Sequence, residues 1–152
     1  MNRIEGGVTA AKGFWAAGVE AAVKYQNRKD MALIYSAVPC VAAGTFTTNV
    51  VKAAPVLWDK KVVEEAPFAQ AVVVNSGIAN ACTGKQGMDC CAAESRCAGE
   101  LLGIPADSVL VASTGVIGMQ LPLDRITEGI RKLVDAKGES LRFFSSCFLS
   151  CS

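Results

Sequence analysis

Apolar residues recur with two different spacings along the chain, and the change of spacing predicts the order of strands and helices. Residues 15–23 place apolar side chains at every second position, which favours a strand. Residues 31–36 and 41–47 have the composition of two more strands, and Pro39 lies between them as a strand breaker. The N-terminal third therefore predicts a meander of short strands.

The middle of the chain predicts a buried strand with a helix before it and a polar loop after it. Pro55 stands at an early helical position, where its missing N–H costs nothing, and the helix is expected to continue to about Val63. Residues 71–74 are an uninterrupted apolar run, typical of a central strand that is covered on both faces. The small polar residues and glycines of residues 75–87 either line a pocket or bond to their own backbone, and local sequence favours the second interpretation.

Two further helices and one strand are predicted in the second half. The first helix is indicated by residues that recur at helical spacing, and it stops at Gly103. The second is an amphipathic helix that starts near Pro122 and ends before Gly138. The positions that carry these two patterns are Cys91, Ser95, Ala98, Leu102, Leu123, Ile126, Ile130, Leu133 and Val134. Residues 108–111 form the intervening strand, so the chain has a mixed α/β or α+β fold.

The last predicted strand leads into a glycine-bounded turn, residues 112–118. Thr114 supplies a hydroxyl donor, and Gly115 allows a reacting carbonyl to approach a bare backbone amide. Together they have the parts of an oxyanion hole. On local sequence alone, a tight turn without a ligand is the favoured alternative.

Composition and charge exclude several classes of function. The chain has 152 residues, 51% of them hydrophobic, and a mean hydropathy of +0.33, which suits one domain with a sizeable core. The chain has 15 basic and 14 acidic residues, so no excess of charge indicates binding to nucleic acid or to an anionic membrane. No apolar run reaches the roughly 18 residues that span a bilayer, and the N-terminus lacks a signal pattern. We therefore expect a cytoplasmic protein.

The chain contains no histidine and seven cysteines. The missing histidine excludes Ser-His-Asp and Cys-His mechanisms and the usual zinc sites. The only candidate metal cluster is formed by Cys82, Cys90, Cys91 and Cys97, but three of these lie in a small-residue helix, where cysteine behaves as a compact apolar residue. We therefore expect reduced, mostly buried thiols and no metal.

Several motifs together resemble the N-terminal, α-chain portion of the ornithine acetyltransferase family, the bifunctional glutamate N-acetyltransferases of arginine biosynthesis. They occur in the family's order across roughly residues 7–139. The shared motifs are VTAAKGF (8–14), RKD (28–30), FTTN (46–49), KAAPVLW (52–58), VVNSG (73–77), ANACTG (79–84) and VASTGVIG (111–118).

The resemblance implies an α/β sandwich of layered sheets and helices, as in certain autoprocessing peptidases. Family members cleave themselves into α and β chains, which assemble as an α2β2 heterotetramer. The threonine freed at the start of the β chain takes the acetyl group of N-acetylornithine, with its own α-amine as base, and passes it to glutamate. This chemistry needs no histidine and no cofactor, although acetyl-CoA serves some members as a co-substrate. The family's oxyanion-hole residues fall on Thr114 and Gly115.

The resemblance ends near residue 139, and residues 140–152 are a divergent tail rich in Phe, Ser and Cys. The tail has no motif with a nucleophilic threonine. Its composition favours a frameshift, a missed splice site or a truncated gene over a short hydrophobic tail that docks on a partner. We therefore expect this chain to be inactive alone and to expose a surface meant for a β chain, with poor solubility or self-association.

Two other functions remain open from the sequence. One is a non-catalytic small-molecule-binding or regulatory domain that keeps a pocket around residues 75–83 and 113–118. The other is a cysteine enzyme that uses Cys82, which is disfavoured because no base lies near it in the sequence.

Overall fold

The computed structural model describes residues 7–136, and they form one mixed sheet with helices packed against it. The elements follow in the order β1 (Phe14–Val19), β2 (Met31–Cys40), α1 (Ala54–Glu65), β3 (Ala69–Asn75), α2 (Gly84–Leu102), β4 (Val109–Ser113) and α3 (Leu123–Asp135). Short 3-10 turns occur at Gly7–Ala10 and Ala106–Ser108. The mixed α/β architecture predicted from the sequence is confirmed.

The four strands of the described sheet lie in chain order, β1-β2-β3-β4. β1 with β2 and β2 with β3 are antiparallel, whereas β3 and β4 are parallel and are joined through α2. A parallel pair requires such a crossover, because the chain must return to the same end of the sheet. The apolar run at residues 71–74 is therefore an interior strand, as predicted.

The two faces of the sheet differ. The register aligns Ala17, Leu33, Val73 and Val111 across one face, where all four are buried in clusters that include residues of the three helices. On the opposite face, the aligned residues Ala16, Ile34, Val72 and Leu110 are only partly buried. Within residues 7–136, the expectation that the central strand is covered on both faces therefore holds for one face only.

The predicted strand at residues 41–47 is wrong, because these residues have no regular structure. Val41 is 96% exposed, and no strand among residues 7–136 pairs with this segment. β2 instead continues through Pro39 to Cys40, with a register shift between Tyr35 and Cys40. Proline is tolerated there because the pairing with β1 ends at Ser36, so no β1 carbonyl needs its N–H.

The helices follow their sequence signals closely. Pro55 lies in the first turn of α1, and α2 ends at Gly103, whose φ of 70° gives the left-handed C-cap. α2 begins at Gly84 rather than after the predicted loop, so the last four residues of that loop belong to the helix. None of the helices that the structure describes is long and apolar enough to cross a membrane. The predicted end of the last helix at Gly138 and the tail, residues 140–152, lie outside the described residues.

Candidate functional site

Two connections leave the same edge of the sheet and lie side by side. The loop of residues 76–83 follows β3, and the turn of residues 114–118 follows the parallel strand β4. Backbone hydrogen bonds join them, from Thr114 N to Asn75 O (3.1 Å), Val116 N to Gly77 O (3.1 Å), Ala79 N to Val116 O (2.9 Å) and Gly118 N to Ala81 O (3.1 Å). The carboxyl ends of parallel strands are the usual place for ligand sites in α/β proteins.

Three polar side chains, one at the end of β3 and two in the loop after it, donate hydrogen bonds to the protein itself. Asn75 Nδ2 donates to Ile78 O (2.9 Å), and Asn80 Nδ2 donates to Gly87 O (2.9 Å). The Thr83 hydroxyl donates to Asn80 Oδ1 (2.6 Å). Asn75, Asn80 and Thr83 are all buried. The interpretation that these residues satisfy the local backbone, rather than line a pocket, agrees with these contacts.

Ser113, the last residue of β4, links the turn to the loop. Its hydroxyl accepts a hydrogen bond from Asn80 N (2.9 Å) and donates one to Ile78 O (3.1 Å). The Ser113 hydroxyl therefore both donates and accepts a hydrogen bond within the protein, which indicates a structural role.

Thr114 and Gly115 each retain a donor that has no partner in the described residues. Both residues are exposed. The Thr114 N–H is engaged by Asn75 O, but its hydroxyl and the Gly115 N–H have no partner within residues 7–136. A hydroxyl and an adjacent amide at the carboxyl edge of the sheet are the donor types that stabilise an oxyanion.

Gly115 is required by the packing of the turn. Its φ is +130°, and a Cβ at this position would lie 2.3 Å from the carbonyl carbon of Gly77 and 2.6 Å from Ile78 N. A side chain cannot share that space with backbone atoms. The absence of a side chain lets the turn lie directly against the loop.

A contact that the sequence did not reveal holds the outer edge of β4. Asp59 Oδ1 accepts a hydrogen bond from Val111 N (2.9 Å), and Trp58 Nε1 donates to Val109 O (3.0 Å). Burial raises the pKa of Asp59 to about 6, although the Val111 N–H opposes that shift. Trp58 and Asp59 are adjacent on α1, and nothing in their local pattern distinguishes them from other helical positions.

Glu94 is a second acidic residue that the sequence analysis missed. It is fully buried on α2, neither carboxyl oxygen has a partner among the described residues, and burial raises its pKa to about 8. The helical spacing could have identified it, because Glu94 lies three residues after Cys91 and four before Ala98 on the predicted inner face. Burial, with Glu94 nearby, also raises the pKa of Cys91 to about 12, so this thiol stays protonated.

In the part of the chain that the structure describes, the cysteines do not form a cluster. Cys82 is exposed in the loop after β3, Cys90 and Cys91 are buried on α2, and Cys97 is partly buried. These four and Cys40 are the cysteines within residues 7–136, and all five are free thiols. Across residues 7–136, no group of three or more histidine, cysteine, aspartate or glutamate residues could hold a metal ion.

Comparisons with known proteins match most of the chain. The ArgJ family profile matches residues 15–146. The arginine biosynthesis bifunctional protein ArgJ of Symbiobacterium thermophilum is 54% identical over 133 residues, which cover 86% of this chain and 33% of that protein. The ArgJ protein of Thermotoga neapolitana is 51% identical over 124 residues, which cover 81% of this chain and 31% of that protein. The chain thus spans about a third of the length of these relatives.

Solved structures agree with the sequence comparison. An ornithine acetyltransferase from Mycobacterium tuberculosis, solved in complex with ornithine, matches with a TM-score of 0.84 and 42% identity over 90% of this chain and 73% of that one. The ArgJ protein of Bacillus halodurans matches with a TM-score of 0.78 and 47% identity, covering 83% of this chain and 65% of that one. By both sequence and structure, this chain belongs to the ArgJ family.

Proposed function

We propose that this chain provides the oxyanion-binding part of a glutamate N-acetyltransferase in arginine biosynthesis. The reaction transfers an acetyl group from N-acetylornithine to a threonine and then to glutamate. The single observation that carries the proposal is the pair of unused donors, the Thr114 hydroxyl and the Gly115 N–H, at the edge where β3 and β4 end. The neighbouring relatives are named as arginine biosynthesis proteins and an ornithine acetyltransferase.

The role of the two donors follows from the charge that develops during acyl transfer. When a threonine hydroxyl attacks an acetyl carbonyl, the carbonyl oxygen becomes an oxyanion. Donors already fixed in place stabilise that charge without reorganisation, and one such donor contributes about 2.7 to 4 kcal/mol. Gly115 is held against the backbone of Gly77 and Ile78, so the turn is fixed before any substrate binds.

The remaining parts of the reaction are assigned to sequence beyond this chain. The relatives are about three times as long, and the nucleophilic threonine belongs to the β chain by family resemblance. We propose that this chain is inactive alone and acts in an α2β2 assembly with such a partner, in the cytoplasm. The partly buried apolar face with Ile34, Val72 and Leu110 suits a second sheet from that partner, as in the sandwich that the resemblance implies. Acetyl-CoA enters only as an alternative acetyl donor.

A chimeric enzyme tests this proposal. Residues 15–136 replace the matching segment in the full-length Symbiobacterium relative, and acetyl transfer from N-acetylornithine to glutamate is measured against the unmodified relative. We expect activity within about tenfold of the parent, because the donated segment carries both donors and the packing around them. A folded chimera that binds N-acetylornithine but transfers no acetyl group would favour the non-catalytic binding domain instead.

A further inference from the structure

The outer edge of β4 is held by side chains of the helices instead of by another strand. Among the described strands, β4 pairs with β3 alone, so the backbone groups on its other side need different partners. Trp58 and Asp59 of α1 supply them at Val109 O and Val111 N. Ser95 of α2 adds a longer contact, from its hydroxyl to Val109 O at 3.4 Å.

This contact lies on the strand that carries the candidate donors. Val111 is three residues before Thr114, a distance of about 10 Å along a strand. On the inner side, the β3 ladder and the bond from Thr114 N to Asn75 O fix the strand. On the outer side, the Asp59 carboxylate is the described acceptor nearest to the turn.

We propose that Asp59, assisted by Trp58, is a positioning residue for the Thr114–Gly115 turn, with α1 taking the place of a neighbouring strand along β4. This inference rests on the proposed function of the turn. Removing the acceptor leaves the Val111 N–H unpaired in a partly buried site, and the end of β4 shifts to find another partner.

The charge of Asp59 makes this positioning role depend on pH. An ionised carboxylate accepts a stronger hydrogen bond than a protonated one. Since burial raises the pKa of Asp59 to about 6, its charge changes near neutral pH. The titratable group that interacts with Asp59 from α2 is the Cys91 thiol, which stays neutral because its pKa is about 12. Glu94, a buried acid on α2, has a pKa raised to about 8, so a pH-dependent change in the turn with a midpoint near 6 is assigned to Asp59.

Nuclear magnetic resonance of the isotope-labelled chain tests the coupling. The amide resonances of Val111, Thr114 and Gly115 should titrate together with a midpoint near pH 6, and Asp59→Asn should abolish this titration. The matched control is Glu65→Gln, an exposed acidic residue on the same helix, which should leave the titration unchanged. If Val111 titrates and the two turn amides do not, Asp59 binds the strand without positioning the turn and the proposal is wrong.

Hydrogen exchange adds a second readout. Asp59→Leu should speed exchange of the Val111 amide at least about tenfold, whereas Asp59→Asn, whose side-chain oxygen still accepts, should stay within about threefold of wild type. Equal exchange in all three proteins would overturn the proposal. If Asp59→Leu does not fold, the titration of wild type against Asp59→Asn decides the question.

The chimeric enzyme separates this inference from the proposed function. Asp59→Leu should lower kcat about tenfold with little change in KM, because the turn is displaced from the transition state, and Asp59→Asn should restore most of kcat. In one outcome, the amides titrate together but Thr114→Ala leaves the turnover of the chimera unchanged. That result would support positioning by Asp59 and overturn the catalytic role of the turn. Wild-type kcat in Asp59→Leu, combined with loss of activity in Thr114→Ala, would overturn positioning alone.

Discussion

The loop after β3 and the turn after β4 contain the same kinds of residues at the same edge of the sheet, yet they use their polar groups differently. In the loop, Asn80 and Thr83 are buried and bonded to each other and to the start of α2. In the turn, Thr114 is exposed and its hydroxyl has no partner among residues 7–136. The Asn80 and Thr83 side chains therefore hold the loop together, whereas the Thr114 hydroxyl and the Gly115 N–H lie exposed at the surface without a described partner.

The difference has a structural cause. The loop must reverse the chain into α2, and its side chains supply the hydrogen bonds that this reversal requires. The turn has its backbone held by the loop, through the bonds from Val116 N to Gly77 O and Gly118 N to Ala81 O. The loop thus supports the backbone of the turn, and the Thr114 hydroxyl and the Gly115 N–H stay exposed.

The largest expected effect is on catalysis and comes from the turn. Thr114→Ala in the chimeric enzyme should slow acetyl transfer by about 10² to 10³, because one oxyanion donor contributes about 2.7 to 4 kcal/mol in the transition state. Stability should change by less than about 0.5 kcal/mol, since the hydroxyl is exposed and has no described partner. Steady-state kinetics and thermal unfolding of the same samples measure the two effects, and unchanged turnover would remove Thr114 from the mechanism.

The next largest effect is at the contact between the two connections. Gly115→Ala should destabilise the fold by about 3 kcal/mol, because the new Cβ overlaps the backbone of Gly77 and Ile78 at a positive φ. The matched control is Gly118→Ala, where φ is also positive, +82°, but nothing lies within 4 Å of the added Cβ. We expect about 1 kcal/mol there. Equal losses in urea unfolding would mean that the two connections are not in close contact.

A pH-dependent effect is expected at Glu94, whose carboxyl has no partner in the described residues, unlike the side chain of Asn80. Its pKa is raised from 4.5 to about 8, so the folded state favours the protonated form. The stability that this provides is full below pH 4.5 and is lost as the pH rises through 8. Between about pH 5 and pH 8, wild type should lose about 3 to 4 kcal/mol more than Glu94→Gln. Parallel stability curves for the two proteins would contradict this account.

The smallest effect concerns the buried side chains of the loop. Asn80→Ala should lower the free energy of unfolding by about 1 to 2 kcal/mol, because Gly87 O and the Thr83 hydroxyl lose their partner. Asn49→Ala is the matched control, since Asn49 is exposed, and should change stability by less than about 0.5 kcal/mol. Among folded molecules, Asn80→Ala should retain most of the transfer activity. A loss of activity without a loss of stability would contradict the structural role of Asn80.

The sequence predicted the elements whose signals are local. Pro55 marks the start of α1, Gly103 caps α2, and the apolar run of residues 71–74 identifies the interior strand. The strand wrongly predicted at residues 41–47 shows what local signals cannot predict. Its residues have strand propensity, but no partner strand exists among residues 7–136, and pairing is a property of the tertiary fold.

The site was predictable only in part, for the same reason. Thr114 and Gly115 were named from the turn motif, and the expected oxyanion role remains a prediction. The contact of Asp59 with Val111 N joins residues 52 positions apart, and no local pattern encodes it. The burial of Glu94 was readable from its helical spacing, but its missing partner was not.

The most direct test of the account is the turnover number of the chimeric enzyme with Thr114→Ser compared with Thr114→Val. Serine keeps the hydroxyl, whereas valine keeps the shape of threonine without a donor. We predict that the serine variant turns over at least about 100 times faster than the valine variant, at equal stability. Equal turnover numbers in two folded variants would contradict the claim that the Thr114 hydroxyl stabilises the oxyanion.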